Sequence, residues 1–238
     1  QWQSACNAGG ARFLAGQIAG FDADANHLRA LQILGADAQT HTLPIDQLLV
    51  ASNANDILER FFNRNDMSTA PVVPSLSPSM DIQVSSNFER LLFEMNGRDG
   101  GQTAEQLQQF RASGRLSVET DQRAEFLDGR FQAARLDDAQ TLDVIARTYR
   151  DAEMLLDPHT AVGVGAVEQL RASGQLQGPT VTLATAHPAK FPDAVEKATG
   201  VRPGLPPLLH DLFDLPEHFT VLPNDLAQIK QFVATTFR

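Results

Sequence analysis

Two short apolar runs, each followed by a polar turn, limit the possible folds of this sequence more than any other feature. One run covers 45–51 and passes into Ser52-Asn53-Ala54-Asn55-Asp56, and the other, rich in β-branched residues, covers 179–184. Runs of this length between chain-breaking residues are typical of buried strands. Helical patterns lie between and after them, and this strand–helix alternation predicts an α/β domain with a partly parallel sheet.

Helices are predicted from capping patterns and from apolar residues at helical spacing. Ser86-Asn87-Phe88-Glu89 has the pattern of a capping box, and apolar residues follow it at helical spacing as far as Met95. Asp157-Pro158 interrupts the chain and predicts the start of another helix. The remaining predictions are helices within 11–20 and 27–35, a helix capped by Asn53, a mostly helical stretch over 103–156 with a cap at Thr103, and a closing helix with Leu226, Ile229 and Val233.

Charge and cysteine content limit the function classes. Lys and Arg total 19 against 29 Asp and Glu, a net charge of −10, and no local basic patch offsets a field that repels nucleic acid and anionic membranes. No stretch approaches the roughly 20 apolar residues of a membrane span. The start has neither the basic region nor the apolar core of a signal peptide. The single cysteine, Cys6, excludes an internal disulfide and a cysteine-rich metal cluster. A soluble cytoplasmic protein without a metal site is predicted.

The ends of the two predicted strands are the strongest candidate binding sites. Ligands of open α/β sheets bind outside the carboxyl ends of strands, where helix N-termini attract anions. The turn at 52–56 has this position, although a helix cap alone explains its residues. After the second strand come Thr185, His187 and Lys190, a hydroxyl, an imidazole and an amine that suit a phosphate in an acidic protein. The alternative there is a capped turn with a solvated lysine.

Two further segments give weaker signals. His159, in the first turn of a predicted helix, could stay neutral beside an anion, but a plain helix start explains it equally. Asp81, with Ser85, Ser86 and Asn87, could bind phosphate at a helix N-terminus, although capping alone explains Ser86. The pair Gly163 and Gly165 is interpreted as close helix packing. The common metal, nucleotide and serine-hydrolase motifs are missing from the sequence.

Four longer segments resemble the threonine synthase family. They read ASNANDI at 51–57, LSPSMDIQVSSNFER at 76–90, DPHTAVG at 157–163 and ATAHPAKF at 184–191, in the family's order and spacing within about 43–220. The resemblance implies part of the three-layer, tryptophan-synthase-β-like fold that binds pyridoxal 5′-phosphate, here with a helical insert over 103–156. It also implies the conversion of O-phospho-L-homoserine and water to L-threonine and phosphate.

The resemblance also implies roles for individual residues. Thr185 matches the family threonine that hydrogen-bonds the pyridine nitrogen of the cofactor, and a hydroxyl there leaves that nitrogen largely unprotonated. His187 and Lys190 lie in the same motif and are expected on the substrate side. Asp81, Ser85 and Asn87 match a segment near the entrance of the active site, which implies substrate binding.

Two parts of the family's machinery have no counterpart in this sequence. The lysine that forms the Schiff base lies in an N-terminal half outside the chain, so no catalytic residue is assigned here. The glycine-rich phosphate loop should fall near 20–40, where Gly20–Arg29 contains none. We therefore predict that 1–42 is a misassembled or frame-shifted stretch and that 43–238 is a C-terminal part of a threonine synthase. The isolated chain is expected to be inactive and to self-associate. The alternative is a non-enzymatic module that binds a phosphorylated metabolite or a partner chain.

Overall fold

The fold divides into two compact units, Gln1–Pro203 and Gly204–Arg238. The structure, a computed structural model, describes residues 16–24, 27–35 and 39–237. The strands are β1 (Gly16–Asp24), β2 (His27–Gly35), β3 (Thr40–Pro44), β4 (Leu48–Ser52), β5 (Met67–Ser68), β6 (Arg115–Leu116) and β7 (Phe131–Arg135). The helices are α1 (Ile57–Arg64), α2 (Phe88–Met95), α3 (Gly100–Ser113), α4 (Thr120–Phe126), α5 (Asp138–Ala152), α6 (Pro158–Ala172), α7 (Pro192–Thr199) and α8 (Leu226–Thr236).

A parallel pair of strands forms the centre of the first unit. β4 and β7 pair in register from Leu48 opposite Phe131 to Ser52 opposite Arg135. Alternate side chains of a strand point to opposite faces. Accordingly, Val50 packs with the core cluster of α1, α2 and α3, whereas Leu49 and Ala51 pack with the cluster of α5 and α6. Helices therefore cover both faces of the pair, which gives the predicted three-layer α/β arrangement.

Aromatic residues fill the core on the α1 side. The Phe61 ring is fully buried and meets the Phe88 ring edge-on, with centroids 4.7 Å apart. The Phe62 ring stacks on Phe131 of β7 at 4.8 Å. Helix α2 buries Phe88, Leu92 and Met95, which are spaced as an apolar stripe requires. The predicted amphipathic helix is thus confirmed.

Several predicted caps are wrong, because the helices begin at other residues than the capping patterns indicate. Helix α2 begins after Asn87, whose side chain makes no capping bond, so the box at Ser86 does not form. Thr103 lies inside α3, which is capped by Asp99. Asn53 does not cap α1, whose N-cap residue is Asp56. The start at Asp157 is confirmed, since its carboxylate accepts from the amides of His159 and Thr160, with Pro158 in the first turn.

Some predicted strands and helices also differ from the structure. Residues 27–35 form β2 rather than a helix, and β1, β2 and β3 form an antiparallel sheet. Within 11–20, residues 16–20 belong to β1 and 11–15 lie outside the described residues. The strand predicted at 45–51 is confirmed over 48–51 as part of β4, whereas 45–47 lie before the strand. The run 179–184 is not a strand, because no described segment pairs with it, and β7 interrupts the stretch 103–156 that was predicted to be mostly helical.

The second unit contains a short 3-10 turn, Pro207–Leu209, and the closing helix α8. The Asp225 carboxylate caps this helix by accepting from the Gln228 amide at 2.8 Å. The predicted closing helix is therefore confirmed. Among the described helices of both units, none combines the length and apolar character needed to cross a membrane.

Candidate functional site

A cavity of about 1040 Å³ lies beside β4 in the first unit. β4 contributes Leu48, Leu49 and Ala51 to its wall. The remaining wall brings together segments that are distant in sequence: the turn with Ser79 and Met80, the first turns of α6 with His159 and Gly163, and the run 179–186 followed by Lys190 and Phe191. All four family-like segments named above thus contribute residues to the wall of one cavity, although 51–57 contributes only Ala51.

Thr185 lines this cavity and is exposed. Its backbone N–H donates to the Thr160 hydroxyl at 3.2 Å. Its own hydroxyl makes no hydrogen bond to a described residue. A hydroxyl that is anchored through its backbone and lacks an internal partner remains available to a ligand.

Lys190 reaches the same cavity, whereas His187 does not line it. The exposed Lys190 amine lies 5.5 Å from the centroid of the Phe191 ring, within the range of a cation–π contact. His187 Nδ1 accepts from the Ala189 amide at 3.1 Å and caps the short turn Pro188–Lys190. The alternative of a capped turn therefore describes the His187 side chain, while Lys190 lies at the cavity.

His159 is held more firmly than its sequence context indicates. Its Nε2 accepts from the Ser79 N–H at 3.2 Å, so that nitrogen carries no proton. The other ring nitrogen, Nδ1, then donates to Asp157 Oδ1 at 3.0 Å. The ring is nearly buried and lies 4.5 Å from the Phe191 ring, centroid to centroid. The His159 ring thus lies in the cavity wall and links α6 to the turn at Ser79.

Asp81 is surrounded by donors outside the cavity wall. Its Oδ1 accepts from Asn53 Nδ2 at 2.7 Å, from Asn55 Nδ2 at 2.9 Å and from Ser75 Oγ at 2.6 Å, and its Oδ2 accepts from the Ser75 amide at 2.9 Å. This network attaches the loop before α2 to the end of β4. Ser85 and Asn87 also lie outside the cavity wall, and Asn87 is exposed.

The structure thus brings together some predicted site residues and separates others. Thr185 and Lys190 share the cavity wall, whereas His187, Asp81, Ser85 and Asn87 lie outside it. Sequence reasoning missed Thr160 as part of the site, because its partner Thr185 lies on another segment, and missed Asp157, which holds Thr160, because a plain helix start explained that residue. A polar pair on the N-terminal turn of a helix was the available signal. Within 16–24, 27–35 and 39–237, no group of His, Cys, Asp and Glu could hold a metal ion.

Known proteins resemble this chain over most of its length. The family model "Threonine synthase, C-terminal" matches residues 160–233. The threonine synthase of Pseudomonas aeruginosa is 54% identical over 198 residues, which cover 83% of this chain and 42% of that protein. The chain belongs to the threonine synthase family. Its match to a C-terminal family model and its coverage of its relatives confirm a partial, C-terminal region.

Solved structures of threonine synthases share the fold. The PLP-bound threonine synthase of Brucella melitensis superposes with a TM-score of 0.71 and 42% identity, covering 81% of this chain and 41% of that one. The yeast threonine synthase gives a TM-score of 0.68 and 33% identity, with 81% and 42% covered. The predicted fold class is confirmed, and the chain spans less than half the length of these threonine synthases.

Proposed function

We propose that this chain forms one wall of a threonine synthase active site, which converts O-phospho-L-homoserine and water to L-threonine and phosphate with pyridoxal 5′-phosphate. The observation that carries the proposal is the exposed Thr185 hydroxyl, which lines a cavity of about 1040 Å³ and has no hydrogen-bond partner among the described residues. The family relationship supports the activity, and the cavity supports the position of the site.

Thr185 suits the pyridine nitrogen of the cofactor. A hydroxyl donates a hydrogen bond to an unprotonated ring nitrogen without transferring its proton, whereas a carboxylate would hold that nitrogen protonated. When bound, the cofactor would withdraw electron density from the carbon atoms of the substrate. Thr185 would moderate this withdrawal and orient the ring, and the neighbouring Phe191 and His159 rings would exclude water from that side of the cavity.

Lys190 suits the anionic substrate. In a chain of net charge −10 its amine is a cation in the cavity wall, and a phosphate monoester would attract it. His187 contributes by capping the turn that carries Lys190, and Asp81 by holding the loop that carries Ser79. Direct substrate contacts by His187, Asp81, Ser85 and Asn87 remain predictions that rest on the resemblance.

We further propose that the isolated chain is inactive. The chain spans 42% of the Pseudomonas aeruginosa enzyme, and its three lysines, Lys190, Lys197 and Lys230, do not match the family's Schiff-base lysine. The glycine-rich phosphate loop is likewise expected from the rest of the enzyme. A partner chain or a longer form of the protein would have to supply both.

The stretch 1–42 remains a separate proposal, namely that it derives from a misassembled or shifted reading frame. In support, β1, β2 and β3 pair with one another and not with β4. Sequencing the encoding DNA tests this idea. Another reading frame that encodes a glycine-rich loop before Leu43 would support it, and the lack of such a frame would refute it.

The functional test is complementation by two separate chains. This chain is co-expressed with the part of Pseudomonas aeruginosa threonine synthase that its match does not cover, in a bacterium that lacks threonine synthase. We expect growth without threonine from the pair and from its Thr185→Ser variant, and no growth from Thr185→Ala or from either chain alone.

Growth supported by this chain alone, or equal growth with Thr185→Ala, would contradict the proposal. If the pair fails to grow and phosphate raises the melting temperature of the chain, the non-enzymatic binding module is favoured instead. Phosphate release from O-phospho-L-homoserine by the purified pair provides the direct assay.

A further inference from the structure

We propose that Thr160, held by the buried carboxylate of Asp157, is a positioning residue that fixes the Thr185 hydroxyl at the cavity. This inference rests on the proposed function, in which Thr185 contacts the pyridine nitrogen of the cofactor. Thr160, in the first turn of α6, would thus hold Thr185, which lies 25 positions later in the chain.

The segment around Thr185 has few other anchors. Residues 180–186 have no regular secondary structure and pair with no described strand. Among the described residues, the only backbone hydrogen bond made by 181–186 is the one from the Thr185 N–H to the Thr160 hydroxyl, at 3.2 Å. The place of Thr185 along the cavity wall therefore depends on where that hydroxyl lies.

The Thr160 hydroxyl is itself held in one orientation. A hydroxyl has one proton and two lone pairs, and Thr160 donates its proton to Asp157 Oδ2. The lone pairs then remain for the Thr185 N–H. Thr160 is 4% exposed and Asp157 is 1% exposed, so water does not compete for either group.

Asp157 is held in turn from its other oxygen. Its Oδ1 accepts from the His159 backbone N–H at 2.9 Å and from the His159 ring at 3.0 Å. The His159 ring is fixed by the Ser79 N–H. A continuous chain of hydrogen bonds thus runs from Ser79 through His159, Asp157 and Thr160 to Thr185, and joins three segments of the cavity wall.

The test compares Thr160→Val, which keeps the shape of the side chain and removes the hydroxyl, with Thr160→Ser, which keeps the hydroxyl. Hydrogen exchange at the Thr185 amide is measured in the purified chain. We expect Thr160→Val to speed this exchange about tenfold or more, and Thr160→Ser to keep it within about threefold of the wild-type rate. Exchange in Thr160→Val at the wild-type rate would overturn the inference. If Thr160→Val does not fold, Thr160→Ala is measured by the same criteria.

A second measurement reports on the hydroxyl of Thr185 itself. The ring-nitrogen NMR shift of added pyridoxine 5′-phosphate, which has no aldehyde and needs no lysine, is recorded for each variant. We expect Thr160→Val and Thr185→Ala to move the shift toward that of the free probe, and Thr160→Ser to restore the wild-type value. A shift that moves with Thr185→Ala but not with Thr160→Val would overturn the positioning role.

The two proposals fail in different ways. If Thr185→Ala leaves the ring-nitrogen shift of the bound probe unchanged, the cofactor contact proposed for Thr185 is refuted. A probe that does not bind the isolated chain reports on the phosphate loop expected from the rest of the enzyme, not on Thr185. The exchange rate at the Thr185 amide then decides by itself whether Thr160 positions this residue.

Discussion

The side-chain amide of Asn53 donates to Asp81 Oδ1 at 2.7 Å and so joins the residue after β4 to the loop before α2. The same carboxylate holds Ser75 through both its amide and its hydroxyl. Between Ser75 and Asp81 lies Ser79, whose N–H donates to the His159 ring in the cavity wall. Asp81 therefore shapes the cavity without lining it.

Removal of the Asp81 carboxylate is expected to destabilise the first unit. Asp81→Ala removes four hydrogen bonds to a carboxylate and leaves the Ser75 N–H without an acceptor among the described residues, which should cost about 3 kcal/mol of unfolding free energy. Urea unfolding followed by circular dichroism measures it. The control is Asp214→Ala, which removes an exposed carboxylate without a partner among the described residues and should change stability by less than about 0.5 kcal/mol. Equal effects of the two variants would contradict the role of Asp81.

Features with a local physical cause could be predicted from the sequence. Asp157 and Pro158 start α6, since a carboxylate satisfies the first free amides of a helix and proline suits its first turn. The stripe of α2 predicted its buried face, because helical periodicity places Phe88, Leu92 and Met95 on one side. Of the candidate site residues, Thr185 and Lys190 lie together at the cavity because only four residues separate them along the chain.

Features that depend on distant partners could not be predicted. Strand β7 lacks β-branched residues, and its partner strand β4 lies some eighty positions earlier in the chain. The run 179–184 has strong strand propensity, but no described segment pairs with it. The hydrogen bond from Thr185 to Thr160 could not be predicted from local spacing either. For the same reason the sequence did not indicate that Asn53 donates to Asp81 instead of capping α1.

The lowered pKa of Asp66 predicts how the free energy of unfolding changes in acid. Hydrogen bonds from Ser68 and from the Arg60 guanidinium lower the pKa of Asp66 below its ordinary value of 3.8. A carboxyl with a lowered pKa in the folded state stabilises the protein above its unfolded pKa, and this contribution is lost as the pH falls. The stability difference between wild type and Asp66→Asn should therefore be largest above pH 4 and shrink below it.

Urea unfolding at a series of pH values between about 2.5 and 6 measures this difference. Asp214→Asn serves as a control, because this exposed carboxylate has no partner among the described residues, and its curve should run parallel to that of the wild type. A constant difference between wild type and Asp66→Asn across the whole range would show that the ion pair does not stabilise the fold.

Self-association is expected from the apolar side chains of the second unit. Phe213 is 82% exposed and Phe219 is 75% exposed, and large exposed apolar groups promote association. The sedimentation coefficient should rise with concentration, and the double variant Phe213→Ser with Phe219→Ser should reduce that rise. Val72→Ser with Val73→Ser, which removes exposed valines from the first unit, is the matched control and should leave it unchanged. A monomer at every concentration would refute the expectation.

The close packing predicted for Gly163 and Gly165 is confirmed and gives a graded series of stabilities. A methyl group on Gly165 would collide with the Leu136 side chain and lie 2.9 Å from Val144 Cγ2, both in the core, so Gly165→Ala should cost about 2 kcal/mol. Gly163→Ala meets only the Thr182 methyl at 2.9 Å, on a segment without regular secondary structure, and should cost less. Gly100→Ala meets nothing within 4 Å at the start of α3 and, since alanine favours helices, should not destabilise. Urea unfolding of the three variants measures the order of their stabilities. A Gly165→Ala protein as stable as Gly100→Ala would show that α6 does not pack against Leu136 as closely as described.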